Sequence, residues 1–158
     1  MSSGEPRFRM VFTTLVALVL TVLPLPFYGD IARPPFLILT VLYWSMAAPR
    51  AGGIGLGWFS GLILDVFLGG PVLGEHAFAL SAVTYIFVRE HQKIRSKPGF
   101  QQGLIALAAL AAYEVLLFFV DEYTGHPITS PWRWVHILTG ALVWPATAAI
   151  IGYRERRS

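Results

Sequence analysis

The chain has 158 residues, of which 55% are hydrophobic and 13% charged, and its mean hydropathy is positive. That is too little polar side chain to cover a water-soluble globule, so the composition points to an integral membrane protein. There are no cysteines, which excludes disulfides, thiolate metal sites and cysteine nucleophiles, and the formal charge of +3 matters more for its placement than for its size.

Apolar segments fall at about 10–28, 35–48, 53–70, 74–89, 101–120 and 134–152. Each is read as a transmembrane helix, giving an all-α integral membrane bundle of six helices. Residues 1–158 form one domain, because the connections are too short to hold a second folded unit. Pro24 and Pro26 close the first helix. No small-x-small cleavage site follows Leu23, where the chain reads PLPFYGD, so this segment is a retained helix rather than a signal peptide.

Pro34 and Pro35 open the second segment, where a missing N–H does least harm. At about 15 residues it spans roughly 22 Å against a hydrocarbon core of roughly 30 Å, so a short, pinched or partly re-entrant passage is expected. Tyr43 and Trp44 fall in its inner half, away from a clear interfacial belt, and their polar atoms need partners inside the bundle.

The third segment carries the most information. Asp65 stands in an apolar run, where an acid is costly and needs a reason. Gly53, Gly57, Gly61, Asp65 and Gly69 recur every four residues along a slowly turning stripe that admits close approach of a neighbouring backbone. Packing within the chain is the default reading of Gly57 and Gly61, and docking of a partner the alternative. Glu114 is the other carboxylate well inside a predicted span. Counted from the start of its helix it lies at about the depth of Asp65, roughly 18 to 20 Å from the same face. The two acids are expected either to line one polar pocket in the outer half of the bundle or to make local hydrogen bonds.

The cluster REHQKIRSKP, residues 89–98, reads as a basic inner loop. Trp132 and Trp134 flank Arg133 as headgroup-level anchors, and Pro145 is expected to kink the last helix and free a carbonyl. With six crossings and both termini cytoplasmic, Arg7, Arg9, Arg50, Arg89, Lys93, Arg95, Lys97, Arg154, Arg156 and Arg157 share one side, with only Arg33 and Arg133 opposite. That asymmetry follows the positive-inside rule, and it assigns the basic excess to topology and the bilayer rather than to nucleic acid. A second segment that dipped and returned would put the 89–97 cluster outside, so a full crossing is retained.

Enzyme signatures fail on spacing. GWFSG around Ser60 approaches the turn of an intramembrane serine protease, with His136 as an imagined base, but Trp58 occupies the place of a required glycine. Asp65 has no partner aspartate in a protease pattern, and His76, His91, His126 and His136 lack zinc-helix spacing. No catalytic residue, metal or cofactor is assigned.

Tyr43, Trp44 and Pro49, followed by a glycine-rich helix ending GLILDVFLGGPVLGEHA with Gly61, Leu62, Asp65, Gly69, Leu73, Gly74 and His76, resemble the rod shape-determining protein MreD family of bacteria. The resemblance covers nearly the whole chain. It implies a non-enzymatic, multi-pass inner-membrane subunit of the cell-wall elongation machinery, working with MreC, the MreB filament and the wall synthases RodA and penicillin-binding protein 2. It also implies a fold similar to the substrate-binding subunits of energy-coupling-factor transporters, and hence an alternative function, small-molecule binding near Asp65 and Glu114. The pocket or partner-binding candidates are Asp65, Glu114, Gly57, Gly61, Tyr43, Trp44 and His76.

Overall fold

The computed structural model describes residues 5–24, 33–126 and 131–155, and within them every regular element is helical. The order is α1 (Glu5–Val22), α2 (Phe36–Ala47), α3 (Ile54–Leu68), α4 (Glu75–Arg89), α5 (His91–Arg95), α6 (Gly99–Thr124), a 3-10 turn (Pro131–Trp134) and α7 (Val135–Glu155). Among the described residues there are thus seven α-helices where six were expected. The additional one, α5, has five residues within the basic loop. It buries Ile94 and is braced at its start by Lys93, whose Nζ lies 2.6 Å from Glu90; that hydrogen bond holds the partly exposed Glu90 carboxyl below its ordinary range.

Most boundaries agree with the apolar segments to within a few residues, and the differences have a common cause. Helix α1 begins at Glu5 and α6 continues to Thr124, because helical hydrogen bonding runs on through polar residues that apolarity does not mark. Val22 ends α1 just ahead of Pro24, while Pro26 lies outside the described residues. Pro35 is the N-cap of α2, as its fixed φ and missing N–H favour. Pro145 sits inside α7, so the carbonyl of Ala141 loses its usual helical donor; that oxygen faces Gly103 of α6, where a Cβ would stand 3.7 Å from it.

Helix α2 occupies the centre. It is regular over 12 residues, and every residue from Leu37 to Met46 is buried. It packs against α1, α3, α4, α5 and α7, which is what a helix apolar on all sides requires. Its shortness follows from this position, since a helix jacketed by protein need not match the lipid thickness. Large apolar side chains instead cover the outside, among them Phe12 and Leu15 of α1, Phe59 and Val66 of α3, and Leu142 and Ile150 of α7. Helix α6 and the stretch Pro131–Gly152 are each long and apolar enough to cross a membrane; α2 and α3 are shorter apolar helices.

The contacts separate the two ends of the bundle. One end gathers the start of α1, the α2–α3 turn and α5 around a cavity that includes Arg7, Arg50 and His91. The other gathers the α3–α4 turn, the residues before α2 and the start of α7, where the His136 ring nitrogen Nδ1 meets the carbonyl of Arg33 at 2.6 Å.

Candidate functional site

Helices α3 and α4 form the most extensively packed pair in the bundle, and the glycine stripe is why they approach so closely. A Cβ on Gly61 would stand 2.5 Å from the Cα of Ala77 and from the carbonyl oxygen of His76, so backbone meets backbone there. A Cβ on Gly57 would stand 2.6 Å from the Thr84 hydroxyl. Gly57 and Gly61 therefore face α4 of the same chain. The turn between the helices needs two left-handed residues, Gly69 at φ 61° and Gly74 at φ 100°, a conformation glycine adopts without a steric penalty.

Gly74 is the N-cap of α4 and has no side chain to satisfy the free N–H groups of the first turn. Asp65 supplies what is missing from the last turn of α3. Its Oδ2 accepts from the N–H of Gly74 at 2.9 Å and of Ala77 at 3.3 Å, and its Oδ1 accepts from the N–H of His76 at 3.0 Å. The His76 ring closes on the same oxygen, Nδ1 to Oδ1 2.8 Å. An ionised carboxylate offers about four lone-pair sites, and all are engaged. The negative charge also sits at the positive end of the α4 dipole. Burying the acid at 5% exposure is thereby compensated by hydrogen bonds within the protein.

Glu114 is held separately. Arg133, on the 3-10 turn before α7, donates from Nε to Glu114 Oε2 at 3.0 Å and from Nη1 to Asp121 Oδ2 at 2.7 Å. Glu75, next to His76, interacts with Asp121, and the buried ring of Tyr113 lies 6.2 Å, centroid to centroid, from that of His76. Asp65 and Glu114 thus belong to adjoining polar clusters in one end of the bundle, bridged by Glu75, His76 and Tyr113, and each has its own partners.

Three members of this end were not singled out from the sequence. Asp121 lies beyond the expected end of its span, yet α6 continues past it and buries it to 1% exposure. Its spacing of seven from Glu114, two helical turns on one face, was the available signal. Arg133 turns inward rather than serving as a headgroup anchor, and Glu75 is buried in the first turn of α4.

Tyr43 and Trp44 lie toward the opposite end of α2. The Trp44 indole donates to Thr13 of α1 at 2.9 Å, and the Tyr43 hydroxyl lies against Gly152 of α7, where a Cβ would stand 3.1 Å away. Trp44 thus finds its partner inside the bundle. Two cavities lie away from Asp65 and Glu114. One, of about 600 Å³, is an apolar groove beside Phe78, Phe119 and Tyr123; the other, of about 440 Å³, is the basic one at the opposite end. Among the described residues no group of three or more histidines and carboxylates is arranged to hold a metal ion.

The model of the rod shape-determining protein MreD family matches residues 5–151. The chain belongs to the MreD family. It is similar to the rod shape-determining protein MreD of Haemophilus influenzae, with 31% identity over 141 residues that cover 87% of this chain and 85% of that protein. No solved structure matches it. Membership implies a role in rod shape determination as part of the cell-shape machinery, and MreD-family proteins are membrane proteins, in keeping with the apolar helices. Within this MreD-family chain, Gly61, Asp65, Gly69, Gly74 and His76 all serve the α3–α4 hairpin.

Proposed function

We propose that the chain acts as a non-enzymatic, multi-pass subunit of the wall-elongation machinery in the bacterial inner membrane. It binds MreC and, directly or through it, RodA, penicillin-binding protein 2 and the MreB filament. The observation that carries this reading is the family match over residues 5–151, which reaches from α1 into α7 rather than resting on one motif. In this reading α1, α2, α3, α4, α6 and α7 form a single domain and make six crossings, with α5 at the cytoplasmic end and both termini in the cytoplasm. The gathering of Arg7 and Arg50 at one end and of the Asp65 and Arg133 clusters at the other supports that alternation.

The saturated hydrogen bonding of Asp65 supports a structural rather than a chemical use of the acid. Glu114 is likewise engaged, by Arg133, which suits a packed scaffold. Partner contacts are then expected on the outside of the hairpin, because Gly57 and Gly61 are already occupied by α4.

Depleting the protein from a rod-shaped cell that depends on it should round the cells, and the purified full-length chain should carry MreC with it from membranes. Cells that keep their shape would overturn the role. Rounding without recovery of MreC would overturn the partner assignment alone.

A further inference from the structure

We propose that the basic end of the bundle carries a binding site for the phosphate headgroup of an anionic phospholipid, seated between α1, the α2–α3 turn and α5. The site is the cavity of about 440 Å³ lined by Arg7 and Met10 of α1, Pro49, Arg50 and Ala51 of the turn, and His91 of α5. Its volume falls in the range of small-molecule sites.

Three features select the ligand. The first is charge. Arg7 and Arg50 come from different elements and converge on one cavity, with no carboxylate among its described lining residues. Among the described residues neither has an ion-pair partner, whereas nearby Glu90 is taken by Lys93 and Arg89. At the opposite end Arg133 is neutralised by Glu114 and Asp121, so the unpaired state is particular to this end. Guanidinium forks match phosphate oxygens in geometry as well as charge. The second is His91, whose Nδ1 lies 2.7 Å from the Val88 carbonyl. That bond fixes the tautomer and leaves Nε2 to donate to a phosphate oxygen when the ring is protonated. The third is the wall. Met10, Pro49 and Ala51 add apolar surface that a soluble phosphate does not use but the glycerol and first methylenes of a lipid do. Basic pockets between membrane helices on the cytoplasmic side suit such headgroups.

The proposal rests on the membrane placement of the chain and not on its partners. Failure to recover MreC leaves it standing, and its own failure leaves the shape role untouched.

The test titrates the full-length protein in dodecyl maltoside with phosphatidylglycerol, phosphatidylcholine or inorganic phosphate and follows thermal unfolding. Phosphatidylglycerol alone should raise Tm. R7A/R50A should need about thirtyfold more of it, the effect expected for two cations at an anionic lipid surface. R95A/K97A, which removes charge outside the cavity, should respond as the unsubstituted protein does. An equal rise with phosphatidylcholine or with inorganic phosphate overturns the assignment, as does an equal loss in R95A/K97A. Should R7A/R50A not fold, native mass spectrometry of the unsubstituted protein decides. Preferential retention of phosphatidylglycerol over phosphatidylcholine supports the site, and equal retention overturns it.

Discussion

Asp65 holds His76 twice, through the backbone N–H at 3.0 Å and the ring Nδ1 at 2.8 Å, both on Oδ1. One carboxylate thereby fixes the start of α4 and a side chain that projects from it. Asp65→Ala leaves buried donors without an acceptor and should destabilise the protein by about 1 to 3 kcal/mol. Asp65→Asn should fall between, because an amide oxygen still accepts while its NH₂ opposes the remaining donors. Thermal unfolding of the two variants checks this; an alanine variant as stable as the parent contradicts the capping role.

The two stripe glycines should respond differently. At Gly61 the obstacle is backbone, so Gly61→Ala must push α3 and α4 apart, at a cost of about 1 to 3 kcal/mol. At Gly57 the obstacle is the Thr84 side chain, with its Oγ1 at 2.6 Å and Cγ2 at 2.8 Å from the added carbon. Gly57→Ala should therefore be rescued by Thr84→Ala, while no side-chain truncation on α4 rescues Gly61→Ala. Unfolding of the single and double variants gives the coupling directly.

The sequence made part of this legible. Apolar run lengths located the long helices, and period-four glycines with an embedded acid marked α3 as a helix that admits close approach without saying of which neighbour, because both signals depend on local spacing. The destination of Asp65 was not legible: its donors lie 9 to 12 residues ahead, across a turn whose direction is set by φ 61° and 100° at two glycines. Arg133 was obscured for a similar reason. Flanked by Trp132 and Trp134 it has the composition of an interfacial anchor, and only the packing of α7 on α6 brings it over Glu114 and Asp121.

That placement gives a third expectation. Arg133→Leu strands two carboxylates, Glu114 and the nearly inaccessible Asp121, and should cost about 3 to 5 kcal/mol, as removal of one partner from a buried ion pair does. Arg133→Lys should recover only part of this, since a single ammonium does not reproduce the fork that reaches both acids. In Arg133→Leu, adding Glu114→Gln and Asp121→Asn should restore some stability by removing the stranded charges. A triple variant no more stable than the single one would show that the cost lies in packing.

Two buried indoles separate hydrogen bonding from volume. Trp44 and Trp144 are both almost inaccessible, yet Trp44 donates to Thr13 at 2.9 Å while the Trp144 Nε1 has no partner among the described residues. Replacing either by phenylalanine removes similar bulk, but only Trp44→Phe breaks a bond that ties α1 to α2. It should therefore cost about 1 kcal/mol more than Trp144→Phe. In a Thr13→Val background the excess should vanish, because the indole acceptor is already gone. If Trp44→Phe remains the costlier change there, the difference comes from how each ring packs, and the link from α1 to the central helix is steric rather than polar.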